Sequence, residues 1–305
     1  MRIIAVLNRD GGTLRTMDLD AFCEEAKAIF ASHGHELECR VVSGKKVEAT
    51  LRAATETAGV DAILAGGGDG TISTAAGIAF ASGMPLGVLP AGTMNLFARA
   101  LKIPLGLNEA LQAIAAGDVG AVDIATANDR PFVHQFGVGI HARLVRIRES
   151  MTYRSRIGKM LASLKSIAAA ALRPPEFDAE LHTKSGVERR RVSGIAVSNN
   201  PLGDGHIPHA DSLDRGLLGV YVAAPVTTPE LLRLAFSVLR GSWRESPMVS
   251  ENEVANVTLS FPKAKRGARA VVDGELIRLQ RSVTLKVHPG ALRVLLPKSA
   301  VSEEM

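Results

Sequence analysis

The segment Gly66-Gly67-Gly68-Asp69-Gly70-Thr71 falls where an apolar run, Asp61-Ala62-Ile63-Leu64-Ala65, gives way to a helical pattern. Glycines at a strand-to-helix turn let backbone N–H groups approach an anion closely, and the helix N-terminus that follows adds partial positive charge. Asp69, held among glycines with little steric cover, is placed to meet ribose hydroxyls or nucleotide-bound Mg²⁺. An Asp here is also an ordinary helix cap. Three clustered glycines and a threonine exceed what a cap needs, so the segment reads as a phosphate or nucleotide loop. A second junction, Leu89-Pro90-Ala91-Gly92-Thr93-Met94-Asn95, follows the next apolar run. Its Thr93 hydroxyl and Asn95 amide can bond phosphate or base. Alone it is a helix cap; beside the first loop it becomes a second wall of one site, because adjacent parallel strands place their C-terminal loops together.

Other motifs carry two readings. Val271-Val272-Asp273-Gly274-Glu275 sets two carboxylates around a glycine, one to each side of a sharp turn. The bland reading, a hairpin with an Asp-Gly turn, is favoured by spacing alone. In the sharper one a carboxylate takes a proton from an attacking hydroxyl. Asp204-Gly205-His206-Ile207-Pro208-His209-Ala210-Asp211 is dense in metal-ligand types, yet Pro208 forbids the helix that would align its imidazoles, so a solvated loop is expected rather than zinc. Gly137-Val138-Gly139-Ile140-His141-Ala142 imitates a dinucleotide fingerprint but lacks the acidic residue about 20 positions on. No Walker A loop occurs, since Gly158-Lys159 is followed by Met160. Between Arg143 and Lys165 stand seven basic residues and one acidic one, with apolar residues at near-helical spacing. This is either a membrane-surface helix or a helix packed on its own domain with a solvated basic face.

The elements that must position these groups alternate over the first 125 residues. Strand-like Ile3–Leu7, Leu37–Val41, Ala62–Ala65 and Pro85–Leu89 are separated by helical patterns at Asp20–Phe30, Val47–Ala58, Thr71–Ala81 and Leu107–Ala116. Such a rhythm predicts a doubly wound α/β domain around a parallel sheet. From about 126 the pattern becomes strand-rich: Val122–Ala127, Phe132–Phe136, Val192–Ser198, Leu217–Ala223, Val254–Phe261, Val283–Val287 and Leu292–Leu296. Helical segments interrupt near 141–171 and at Pro229–Leu239. The expected division is 1–125, a β-rich 126–289, and a segment 290–305 that could return to the first domain.

The chain has 305 residues, 46% apolar and 22% charged, enough for two domains with real cores. Its net charge of +5 hides an asymmetry. Residues 1–125 carry 10 Lys/Arg against 14 Asp/Glu, whereas 126–305 carry 26 against 17. A second half of +9 suits an anionic partner surface, to which Arg189-Arg190-Arg191 and Lys263–Arg269 could add. Aromatics at 4% leave few stacking platforms, so a nucleic-acid partner is not expected. Two cysteines, Cys23 and Cys39, make no disulfide framework, and no apolar run is long enough for a membrane span or a signal peptide. A reducing cytoplasm is the expected home.

In sequence order these motifs resemble the diacylglycerol kinase catalytic-domain family, the soluble bacterial lipid kinases, related to sphingosine kinases, NAD kinases and phosphofructokinases. Gly67–Thr71, then Gly92-Thr93-Met94-Asn95 with Phe97-Ala98-Arg99 and Ile103-Pro104, then Val122-Asp123-Ile124, the Pro208–Gly216 stretch, and Val272–Glu275 carry the likeness. The resemblance implies an N-terminal α/β domain, a C-terminal β-sandwich-like domain, and ATP with Mg²⁺ between them. It assigns Glu275 as general base with Asp69 in the catalytic set, and Gly67, Gly68, Asp69, Gly70, Thr71, Thr93 and Asn95 to the nucleotide. Asn8 and Ser43 would line its phosphate end. It implies a lipid substrate met peripherally at the membrane, and leaves a homodimer open. Two positions depart from the family pattern. Leu213-Asp214-Arg215-Gly216 has Arg where a second Asp helps hold a structural Mg²⁺, so no protein-held metal is expected, and Leu96 replaces an Asp. An NAD kinase-like enzyme is the nearest alternative, although its Asn-Glu pair has no counterpart in the right context. A nucleotide-binding regulator without catalysis is another.

Overall fold

The computed structural model describes residues 1–149, 174–204 and 209–298. It divides into two compact units: one of Met1–Ile124, Ser212–Gly216 and the chain from His288, the other of Ala125–Asp211 and Leu217–Val287.

The first unit is a parallel sheet clothed by helices. Strand β1 (Arg2–Asn8) lies between β2 (Glu36–Val42) and β3 (Ala62–Gly67), and β3 pairs with β4 (Leu86–Pro90), all parallel. Every residue of β3 and β4 is buried, as a sheet covered on both faces requires. Helices α1 (Leu19–Ser32), α2 (Val47–Thr55), α3 (Asp69–Ser82) and α5 (Leu107–Ala115) supply the cover with Phe30, Leu51, Ala75 and Leu111, none more than 1% exposed. A short α4 (Leu96–Ala100) follows β4. The spatial order β2-β1-β3-β4 makes the chain turn one way after β1 and the other way into β3, so the sheet's topological switch point lies at the carboxyl ends of β1 and β3. Cys23 and Cys39 are free thiols. Burial pushes both upward, Cys39 to about 12, so they stay protonated at neutral pH.

A long strand, β16 (Ser282–Leu296), belongs to both units, its last third pairing parallel with β4 at Val294–Leu86. The sequence suggests two strands here, Val283–Val287 and Leu292–Leu296. The chain instead continues through a kink at Gly290 (φ 59°), whose N–H is given to the Asp123 carboxylate at 2.9 Å. Asp123 lies on β5 (Asp118–Ala127) and is 1% exposed. Its second oxygen accepts the Gly216 N–H at 2.7 Å, while its own N–H donates to Leu213 O at 2.6 Å. One buried carboxylate thus fastens both returning segments to the first unit, which explains why Ser212–Gly216 belongs there and not to the β-rich part.

The second unit is a sandwich of antiparallel sheets. One sheet runs β12 (Val249–Val254), β11 (Leu218–Ala223), β10 (Gly194–Asn199), β7 (Gln135–Gly139), β14 (Arg269–Val272), β15 (Glu275–Arg278). The other joins the start of β16 to β13 (Asn256–Ser260), β8 (Phe177–Thr183) and β9 (Gly186–Val192). β6 (Arg130–Phe132) pairs with the end of β5. Phe136, Val138, Val197 and Val220 from the first sheet meet Leu181, Leu259 and Leu285 from the second in one core. The fingerprint imitation at Gly137–Ala142 spans the end of β7 and the start of α6 (Ile140–Glu149). β7 is antiparallel to both neighbours, so no βαβ unit exists to hold a dinucleotide there. Most of the basic Arg143–Lys165 segment, and His206 with Pro208, lie outside the described residues.

The basic run Arg189-Arg190-Arg191 has carboxylate partners around it. It is an edge strand, β9, whose arginines pair with Glu180 at 2.8 Å, Glu188 at 2.5 Å and Glu176 at 2.7 Å. Lys263 likewise pairs with Asp178 at 2.7 Å. Charged edges of this kind block stray strand pairing.

Asp123→Ala leaves the Gly216 and Gly290 N–H groups without their acceptor and is expected to cost about 2–4 kcal/mol. A denaturant midpoint equal to that of the parent chain would remove Asp123 from this role.

Candidate active site

The loops at the switch point are tied together by side chains that the sequence reading placed on a ligand. Asn8, at the end of β1, donates from Nδ2 to Thr71 Oγ1 at 3.0 Å, linking β1 to the first turn of α3. Its Oδ1 accepts the Asp10 N–H at 3.1 Å, and Asp10 in turn accepts the Gly44 N–H at 2.8 Å beside Ser43. Ser43 caps a short 3₁₀ turn, Gly44–Lys46, without a side-chain cap bond. Asp10 is a tie the sequence reading missed; its signal was an Asp two residues after Asn8, followed by Gly11-Gly12.

Asp69, expected to meet ribose or Mg²⁺, also ties the two loops together. Its carboxylate accepts the Leu96 N–H at 2.7 Å and the Asn95 N–H at 3.2 Å, so it caps α4 across the gap between the two glycine junctions. This gives it a positioning role that its spacing in the sequence does not reveal. Asn95 closes the second loop: it sits in the left-handed region (φ 52°), accepts the Gly92 N–H at 2.8 Å and donates to Gly92 O at 3.2 Å. A Cβ on Gly92 would stand 2.7 Å from Gly68 Cα and 2.8 Å from Asn95 Oδ1. At Gly12 (φ 47°) one would stand 1.7 Å from Ala91 O, which accepts the Thr13 N–H at 2.9 Å. Three loops therefore meet at backbone contact.

What they leave open is the N-terminus of α3. Its N-cap is Gly68, which has no side chain to fold back over the first turn, and a Cβ on Gly70 would meet nothing within 4 Å. Thr93 is exposed at the rim. A helix start with uncovered N–H groups, flanked by glycines and hydroxyls, fits the phosphates of a nucleotide. In the acidic loop Asp214 accepts its neighbour Ser212's hydroxyl, and Arg215 stands exposed beside it, a cation where a second carboxylate would help hold Mg²⁺.

In the second unit the favoured hairpin reading holds, and it separates the two carboxylates. Val272 pairs with Glu275 across an Asp273-Gly274 turn in which both residues have positive φ, 46° and 84°. Asp273 turns inward and accepts the N–H groups of Val133, His134 and Gln135, each at 2.9 Å. Glu275 points outward, its side chain 70% exposed, and is oriented by Arg130 Nη2 at 2.6 Å. A rigid turn thus presents one carboxylate to solvent, where it can accept a proton.

These placements predict two contrasts in stability. Gly92→Ala should cost about 1–3 kcal/mol by forcing the loops apart, whereas Gly70→Ala should be neutral or stabilising by up to about 1 kcal/mol. Asp273→Ala should cost about 2–4 kcal/mol, while Glu275→Gln should stay within about 0.5 kcal/mol. Equilibrium unfolding of the four variants checks both; equal losses within either pair would contradict this geometry.

Comparison with known proteins agrees with this anatomy. Residues 2–127 match the diacylglycerol kinase catalytic domain, and residues 135–296 match the YegS C-terminal NAD kinase beta sandwich-like domain. An uncharacterized protein of Synechocystis sp. is 31% identical over 249 residues, 77% of this chain and 54% of that protein, so the chain spans about half its length. A Staphylococcus aureus protein named "Putative lipid kinase SAB0675c" is 25% identical over 77% of each chain. Among solved structures, a "putative diacylglycerol kinase" from Bacillus anthracis superposes with a TM-score of 0.76 over 98% of both chains; at 18% identity that likeness concerns the fold. With both domain matches in order along the chain, it belongs to the diacylglycerol kinase-like lipid kinase family.

Proposed function

We propose that this chain transfers the γ-phosphoryl group of Mg-ATP to a hydroxyl of a membrane lipid, either diacylglycerol or a sphingoid or ceramide lipid. The observation that carries this reading is the cradle at the switch point, where Asn8–Thr71 and Asp69–Leu96 hold two glycine junctions around the open N-terminus of α3. The N–H groups of Asp69, Gly70 and Thr71 would bind phosphate oxygens, with Asn8, Ser43, Thr93 and Asn95 around them. Mg²⁺ arrives with the nucleotide as part of the substrate and offsets phosphate charge.

Glu275 accepts the lipid hydroxyl proton as the new oxygen–phosphorus bond forms and the bond from γ-phosphorus to the β-bridging oxygen breaks, releasing ADP. Positioning and electrostatics carry most of phosphoryl transfer, so a Walker lysine is not required. Asp69 works through the loops it spaces rather than by touching the reacting atoms. The setting is peripheral, at the cytoplasmic face of a membrane.

Purified protein with ATP and a panel of dispersed lipids is expected to yield a phosphorylated lipid. Intact ATP binding with no lipid product would sink the proposal and leave a nucleotide-binding regulator. Phosphorylation of NAD instead would establish the NAD kinase-like alternative. Glu275→Gln should lower kcat by at least about a hundredfold while ATP affinity stays within a few-fold; undiminished turnover would take Glu275 out of the mechanism.

A further inference from the structure

Helix α7 (Thr228–Arg240), in the second unit, is apolar on two sides. Leu231 is buried with Val226 against Ile140 and Met248, and Val238 packs on the cluster of Leu202, Tyr221 and Trp243. That side faces its own unit. On another side Leu232 and Phe236, four residues apart and therefore stacked on one face, are 47% and 57% exposed. Arg233 and Arg240 are exposed on the same stretch, and the Arg240 guanidinium stands 4.9 Å from the centre of the Phe236 ring.

The helix's one acidic residue is held first by its own N-cap and only then attracted to Arg233. Glu230 is engaged in a capping box, accepting the Thr227 N–H and hydroxyl at 2.7 Å each. At the other end Gly241 (φ 74°) terminates the helix, so the face is carried on a well-defined rod of about 20 Å. A solvated face would be polar at 232 and 236. Single exposed hydrophobes need no explanation, but a Leu-Phe pair framed by two arginines has the composition of an interfacial helix.

We infer that α7 docks on an anionic lipid bilayer, with Leu232 and Phe236 entering the headgroup boundary and Arg233 and Arg240 meeting lipid phosphates. Charge selects this occupant, since two arginines beside the apolar pair complement the phosphates of an anionic lipid surface. It also selects α7 over β9, whose three arginines already face carboxylates. The inference rests on the lipid-kinase reading for its purpose, but its test does not depend on turnover.

Co-sedimentation without ATP, using phosphatidylcholine vesicles with and without phosphatidylglycerol, reads docking directly. The parent chain should bind the anionic vesicles preferentially. Leu232→Ser with Phe236→Ser, and separately Arg233→Glu with Arg240→Glu, should each weaken that binding at least about tenfold. Both doubly substituted chains should match the parent on lipid dispersed in detergent. Unchanged sedimentation of both, or parent binding indifferent to phosphatidylglycerol, would overturn the inference. So would light scattering that showed the serine variant converting a dimer to a monomer while vesicle binding held. Docking through α7 by a parent chain that phosphorylates no lipid would uphold the inference and sink the kinase reading.

Discussion

A carboxylate that accepts two backbone N–H groups from a neighbouring loop fixes how far apart the two loops stand. Asp69 does this in the first unit, taking the N–H groups of Asn95 and Leu96. The bond satisfies donors at the start of α4 that would otherwise lack a partner, and it draws the second junction against the first. Only glycine tolerates the result, since a Cβ on Gly92 would press on Gly68. The uncovered first turn of α3 follows from the same arrangement: the Asp that would ordinarily cap nearby N–H groups is engaged with another helix. The residue that looks most like a ligand contact also builds the space beside it.

This also bears on Leu96, which departs from the family pattern that the sequence resembles. Position 96 contributes its backbone N–H to Asp69, and a backbone group is supplied by any residue except proline. The loop spacing is therefore independent of the side chain at 96. What the substitution changes is the chemistry presented from the first turn of α4, where a half-buried leucine stands in place of an anion. Asn95, by contrast, closes its loop with the side chain itself and sits in a left-handed conformation that asparagine tolerates better than most residues.

The parallel core was legible because its strands are continuous apolar runs and its helices are periodic. The glycine junctions were legible because strand-to-helix turns at a sheet's carboxyl edge follow from that order. Less legible were features in which one residue answers to a partner far along the chain. β9 reads as a cluster of arginines until Glu176, Glu180 and Glu188 are set beside it. The stretch between Val287 and Leu292 reads as a gap between two strands until Asp123, 167 positions away from Gly290, accepts the Gly290 N–H. Asp69 itself reads as a cap or a ligand contact, because nothing local reveals that α4 lies within reach. For Asp69 and Asp123 the deciding bonds span 27, 93 and 167 positions, a distance no local pattern reveals.

Three aspartates thus share one physical task. Asp69, Asp123 and Asp273 each accept backbone N–H groups from segments remote in sequence. A short side chain suits this, since the carboxyl group reaches a nearby turn with few rotatable bonds to immobilise. Glu275, two residues beyond Asp273, has one more methylene and the opposite orientation, and its ordered neighbour is an arginine at the surface. The Asp-Gly turn makes the two inequivalent. With Asp273 committed to three N–H groups, the hairpin cannot rock without breaking them, and that rigidity is what aims Glu275. A general base must keep its geometry while remaining open to its substrate. The inward aspartate supplies the first condition and the outward glutamate the second.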